Sequence, residues 1–137
     1  MSEPEISLSH HGDRRWYRPG DVLSGEYRLV AAGGDDFKAV EVSVLWHTEG
    51  QGDEDMAVHF FQRFDREVDG VAEPLDARRF STALPRSPLS YDGVIVKVRW
   101  CARVRAFPRR GRELVAEAQF RLGNVPPAHV TPEVEVV

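Results

Sequence analysis

The sequence predicts an all-β fold, an immunoglobulin-like antiparallel β-sandwich, and three observations predict it. Apolar residues recur with a period of two, as half-buried strands require, and neither helical spacing nor an internal repeat is found. The alternating segments are short and are separated by glycine- and proline-rich punctuation at "RPGD", "AAGGDD", "EGQGDED" and "LPRSP". The length of 137 residues suits one domain with a single core, above the size at which disulfides or metals become necessary.

The elements follow in order. Strands are predicted at Glu5–Ser9 and Val22–Ala31. In "KAVEVSVLWH", Val40, Val42, Val44 and Trp46 share one face while Glu41, Ser43 and His47 share the other. Met56–Phe61 and Asp76–Leu84 come next. The longest strand is "DGVIVKVRWCARVRAF". There Val94, Val96, Val98, Trp100, Ala102 and Val104 point one way, and Lys97, Arg99, Arg103 and Arg105 the other. After the turn residues "PRRG", Leu114, Ala116, Ala118, Phe120 and Leu122 again share a face, which predicts an antiparallel hairpin. Both Trp46 and Trp100 fall in the apolar phase and are expected to be buried. The sandwich is assigned to residues 1–123. Residues 124–137, "NVPPAHVTPEVEVV", carry three prolines and form a tail. Its last residues, Val134, Glu135, Val136 and Val137, alternate around a glutamate and are expected to add to a sheet edge, in their own domain or in a second copy.

Composition narrows the function classes. A net charge of −4 gives no sign of bulk nucleic-acid binding. The N-terminal "MSEPEISLSH" has no apolar core of a signal peptide and no later run reaches the length of a membrane span, so a cytoplasmic location is expected. Cys101 is the only cysteine, which excludes an internal disulfide and a cysteine-based zinc site.

Three stretches carry a family resemblance. "YRPGDVLSGEYRL" places Tyr17, Pro19, Gly20, Asp21, Gly25 and Leu29 in order. "RFSTALPRSPLSYDG" places Phe80, Leu84, Pro85, Pro88, Ser90 and Gly93 before the long strand with Trp100 and Val104. "LVAEAQFRLG" supplies an apolar-Phe-Arg-Leu strand ending. In this order they resemble one domain of the arrestin fold, as found in arrestins, α-arrestins and related bacterial proteins. The resemblance covers about residues 4–123 and implies a sandwich of arrestin-domain type serving as a noncatalytic binding scaffold. Arrestins proper have two such sandwiches and this chain has one, so their receptor binding does not carry over. The Pro-Pro-x-Tyr motif of many α-arrestins is absent too, "VPPAHV" offering the prolines without the tyrosine.

Chemical sites receive bland readings. Asp65–Gly70 has the start of a calcium loop but lacks its twelfth-position glutamate and flanking helices, so a solvated acidic loop is expected, as it is for Asp53–Asp55. His10, His11 and Asp13 offer metal-ligand chemistry, yet adjacent residues on an extended strand face opposite ways. His47 and His59 are read as surface residues and as neighbours across a sheet. Cys101 sits mid-strand between Arg99 and Arg103, which would lower its pKa, but no nearby histidine completes a catalytic pair. No enzyme activity and no cofactor is expected. For Pro85–Pro88 a strand-ending connection is preferred over a polyproline ligand.

The candidate contact surface is the arginine-rich hairpin end, Arg105, Arg109, Arg110 and Arg112. Glu113 and Glu117 should neutralise the mid-strand arginines and leave the tip for a partner. The chain is thus expected to be an intracellular protein-interaction module whose partner the sequence does not name. The alternative is a peripheral binder of acidic lipids, phosphopeptides or other polyanions, with weak anionic membrane contact through the tip.

Overall fold

A computed structural model describes residues 5–10, 14–30, 37–52, 54–65 and 77–123. In chain order the strands are β1 (Glu5–His10), β2 (Trp16–Tyr17), β3 (Val22–Val30), β4 (Phe37–Gly50), β5 (Met56–Asp65), β6 (Ala77–Ala83), β7 (Tyr91–Asp92), β8 (Val96–Pro108) and β9 (Leu114–Leu122). They form two sheets, one ordered β1-β3-β6 and the other β2-β9-β8-β4-β5, with β7 on β8 where β9 does not reach. The fold is the predicted all-β sandwich. Every strand pairing is antiparallel except β2 with β9, which is parallel and two residues long.

The long strands form because their sequence alternates, and they sit at the centre because both neighbours cover them. β4 and β8 pair from Phe37 opposite Pro108 to Gly50 opposite Val96. Their inward rows, Val40, Val42 and Val44 with Trp100, Ala102 and Val104, are buried against Leu23, Tyr27 and Leu29 of β3. Phe80 of β6 lies across Gly25 of β3. A Cβ on that glycine would stand 2.7 Å from the Phe80 ring and 2.9 Å from the Ser9 carbonyl oxygen, so only glycine fits there.

The two proline-bearing landmarks meet. The Leu84 N–H donates to the Asp21 carbonyl (2.8 Å) and the Gly20 N–H to the Leu84 carbonyl (2.9 Å), stitching "RPGD" to "LPRSP". Gly20 takes the left-handed conformation of this turn at φ 88°. Farther along, the Pro88 carbonyl accepts the Trp100 indole N–H at 2.7 Å, and the Ser90 N–H bonds the Leu122 carbonyl at 2.8 Å. The Pro85–Pro88 stretch is therefore a structural connection.

Several expectations are corrected. Trp46 points inward but lies near the end of β4 and is only partly buried. The long strand starts at Val96, and Val94, expected inside, is fully exposed before it. β5 runs on to Asp65, and a bulge places His59 as an extra residue between the Val44–Phe60 and Leu45–Val58 pairs. The bulge inverts the facing of one half of β5. His47 lies opposite Met56, while His59 lies on the inward side of the edge yet stays exposed, as expected of a surface residue, its ring 6.2 Å from that of Trp100 and its Nε2 2.7 Å from the Ala83 carbonyl oxygen. The two histidines are not cross-strand neighbours. The tail residues Val134, Glu135, Val136 and Val137 lie outside the described residues, as do His11, Asp13, Asp53 and positions 66–76.

Candidate functional site

The outer face of the larger sheet carries the chain's concentration of arginine. β8 projects Arg99, Arg103 and Arg105 outward because its other phase fills the core, and the register of β9 sets Glu117 opposite Arg103. The ion pairs follow from that register. Arg103 Nε lies 2.6 Å from Glu117, and Arg105 donates to Glu113 at 2.7 and 3.1 Å with Glu41 3.9 Å away. Arg99 meets Asp92 at 3.2 Å and Glu49 at 3.8 Å, and Arg121 meets Asp92 at 2.6 Å. The Arg121 hydrogen bond holds the Asp92 carboxyl below its usual range. The expected neutralisation by Glu113 and Glu117 is present. Arg105, counted beforehand among the contact residues, is paired with Glu113 and Glu41 yet keeps 41% of its side chain exposed.

At the β8–β9 tip the chain turns through Gly111, at φ 95°, which throws the flanking side chains into solvent. Arg109 has an interaction of its own. Arg110 and Arg112 are exposed, and neither forms an ion pair among the described residues. Lys38 is exposed at the same end of the sheet, next to Phe37, which pairs with Pro108. The tip thus presents Arg110 and Arg112 without an ion-pair partner among the described residues, beside a face on which Arg99, Arg103, Arg105 and Arg121 are matched.

The chemical candidates behave as structural groups. Burial pushes the Cys101 thiol up to about 11, with Glu117 adding and Arg103 opposing, so the lowering expected from the flanking arginines is outweighed by burial. His10 is buried, and burial lowers its pKa against a smaller opposing pull from the Ala118 backbone. Among the described residues no three His, Cys, Asp or Glu side chains gather as a metal site would need. Asp65, the first residue of the supposed calcium loop, instead ends β5 and pairs with Arg63 at 3.2 Å.

Two features escaped the sequence reading. A polar groove opens beside the β5 and β6 edges, lined in part by Glu26, Phe60, Gln62, Arg79 and Ser81. On the outward side of β5, Met56, Val58 and Phe61 stand exposed over Leu45 and Cys101, which are buried on that same outer face. Simple alternation would put Met56, Val58, Phe60 and Gln62 in one row. The bulge breaks that row, and no local residue signals it.

No family model matches the chain, and no curated protein sequence matches it. Among solved structures it is similar to Spo0M, the sporulation control protein of Bacillus subtilis, a protein of arrestin-like fold. The TM-score is 0.58 at 10% identity, covering 99% of this chain and 56% of Spo0M. The fold is a β-sandwich of arrestin type. The likeness reaches no further than the fold, and the chain spans a little over half the length of Spo0M. Among the described residues no helix is long and apolar enough to cross a membrane.

Proposed function

We propose that the chain is a noncatalytic protein-interaction module of arrestin-like type, working in the cytoplasm and meeting an acidic segment of a partner protein at the β8–β9 tip. One observation carries the reading. Arg99, Arg103, Arg105 and Arg121 each have a carboxylate partner, whereas Arg110 and Arg112 project from the tip with none among the described residues. Guanidinium groups free of internal partners bind carboxylates or phosphates through paired N–H donors, and a rigid two-stranded hairpin holds them in place. The likeness of fold to a sporulation control protein agrees with a regulatory role of this kind.

The test is affinity capture with wild-type chain and with Arg110→Glu/Arg112→Glu, alongside flotation with vesicles rich in acidic lipid. Loss of a salt-sensitive protein partner from the variant, at unchanged melting temperature, supports the reading. A partner retained by the variant removes the tip from it. Vesicle binding lost in the variant, with no protein partner affected, moves the function to the polyanion alternative.

A further inference from the structure

The outer edge of β5 is the longest sheet edge among the described residues. β5 closes one side of the larger sheet, and no strand lies beyond it among the described residues, so the backbone N–H and C=O groups of the alternate residues that point away from β4 have no strand partner there. Proteins blunt such edges with proline, charged side chains (lysine above all), bulges or a very short strand. "MAVHFFQRFD" has no proline and no lysine; the bulge at His59 and the charged Arg63 and Asp65 near one end are its only such devices, and the central Val58, Phe60 and Phe61 are apolar. The opposite side of the sheet ends in β2 and β7, each two residues long. β5 also carries an apolar row on its outward face, Met56, Val58 and Phe61, exposed by 59%, 50% and 55%.

We propose that β5 pairs antiparallel with β5 of a second copy of this chain, joining two six-stranded sheets across a two-fold axis. The His59 bulge fixes the register. Met56, Val58, Phe61, Arg63 and Asp65 face outward, and Ala57, His59, Phe60, Gln62 and Phe64 face the sandwich interior, because their β4 partners alternate likewise on either side of the bulge. An antiparallel pair must set outward residues opposite outward ones. With the axis between His59 and Phe60, Met56 meets Arg63 of the second copy, Ala57 meets Gln62, Val58 meets Phe61 and His59 meets Phe60. Facing then agrees along the whole strand. A shift by one residue either way sets an inward side chain against an outward one at the centre, since both strands invert at the same place.

This register also suits the chemistry. Val58 and Phe61 of each copy form a continuous apolar patch around the axis, an aromatic against a β-branched residue as cross-strand pairs prefer. Within the strand no two like charges oppose. Arg63 already engages Glu41 and Asp65, so the one acidic approach, Asp65 toward Glu54 of the second copy, has a guanidinium 3.2 Å from Asp65 to offset it. The apolar outer row, the long edge without proline or lysine, and a register in which the bulge meets only its own copy favour a second copy as the occupant over an unrelated strand. The inference does not depend on the arginine tip.

Light scattering on the full chain over a concentration range is expected to give twice the 15.5 kDa chain mass at high concentration. Val58→Lys/Phe61→Lys is expected to be monomeric at unchanged melting temperature, while Val115→Lys, an exposed apolar position on β9 of the same sheet, leaves the dimer intact. Register is read by thiol cross-linking. Val58→Cys alone and Phe61→Cys alone stay unlinked, because each is about 10 Å along the strand from its own copy. A mixture of the two links. A monomer at every concentration, a dimer that survives the double lysine substitution, or linking of either single variant to itself overturns the proposal.

Discussion

Trp100 and Trp46 lie directly opposite each other on β8 and β4, yet they do different work. Trp100 is 1% exposed, its indole N–H is satisfied by the Pro88 carbonyl, and its ring packs 5.8 Å from Phe120. Trp46 only flanks the core. Trp100→Ala should therefore cost about 3–5 kcal/mol, the range for emptying a large buried site, and Trp46→Ala less than about 3 kcal/mol. Urea unfolding of both variants checks the order, and equal losses would contradict the burial. His10 makes a second prediction. Its ring stands 5.8 Å from that of Phe120, and burial, against a smaller opposing pull from the Ala118 backbone and with a lesser contribution from Arg15, holds its pKa below the ordinary 6.5. The unfolded chain then binds the proton first, and stability falls as pH drops below about 6.5 toward the lowered native value. His10→Phe removes that term while keeping an aromatic ring. Melting temperatures of the variant relative to wild type should rise more at pH 5 than at pH 8.

Turns and strands differ in how openly the sequence announces them. β4, β8 and β9 were legible because each is long and faces the core with one phase, so the period of two survives over many residues. β2 and β7, two residues each, have no period to read. β5 misled because the bulge at His59 inverts its facing, and with it the apolar row at the free edge went unseen. The arginine pairing was partly readable, since a hairpin fixes Arg103 opposite Glu117, whereas the capture of Arg105 by Glu41 depends on β4 lying alongside, which no short-range pattern reveals. The Pro-Gly-Asp turn before β3 makes the prediction at this scale. Asp21 Oδ2 accepts the Arg18 N–H at 2.9 Å and pairs with the Arg14 guanidinium, and these hydrogen bonds, the Arg18 one foremost, hold its carboxyl below the usual range. Because the folded-state pKa is lowered, this contribution is present above the ordinary carboxylate value and is lost as pH falls through the lowered one. At pH 7, Asp21→Ala should melt below Asp21→Asn, which keeps an acceptor for Arg18, and both below wild type. Thermal melts across pH 2–7 should show the three converging in acid.

At the scale of the whole molecule, stability should be graded from the centre of the larger sheet outward. β4 and β8 are distant in sequence, each lies between two other strands along most of its length, and their inward rows are the middle of the core. Pairing them closes a long loop, which slows folding, and opening them exposes most of the buried apolar surface at once. Their amides should exchange only through global unfolding, while edge strands open locally at lower cost. Hydrogen exchange should therefore find its slowest amides at Val40–Leu45 and Trp100–Val104, with β1, β6 and β5 faster. The edge pairing proposed for β5 adds a dependence that intramolecular stability lacks. Amides of β5 directed away from β4 gain protection as protein concentration rises, and those of β1 and β6 do not. Equal protection of β5 at all concentrations would confine its edge to the monomer. Fast exchange at Val40–Leu45 would show that β4 is not the centre of the cooperative unit.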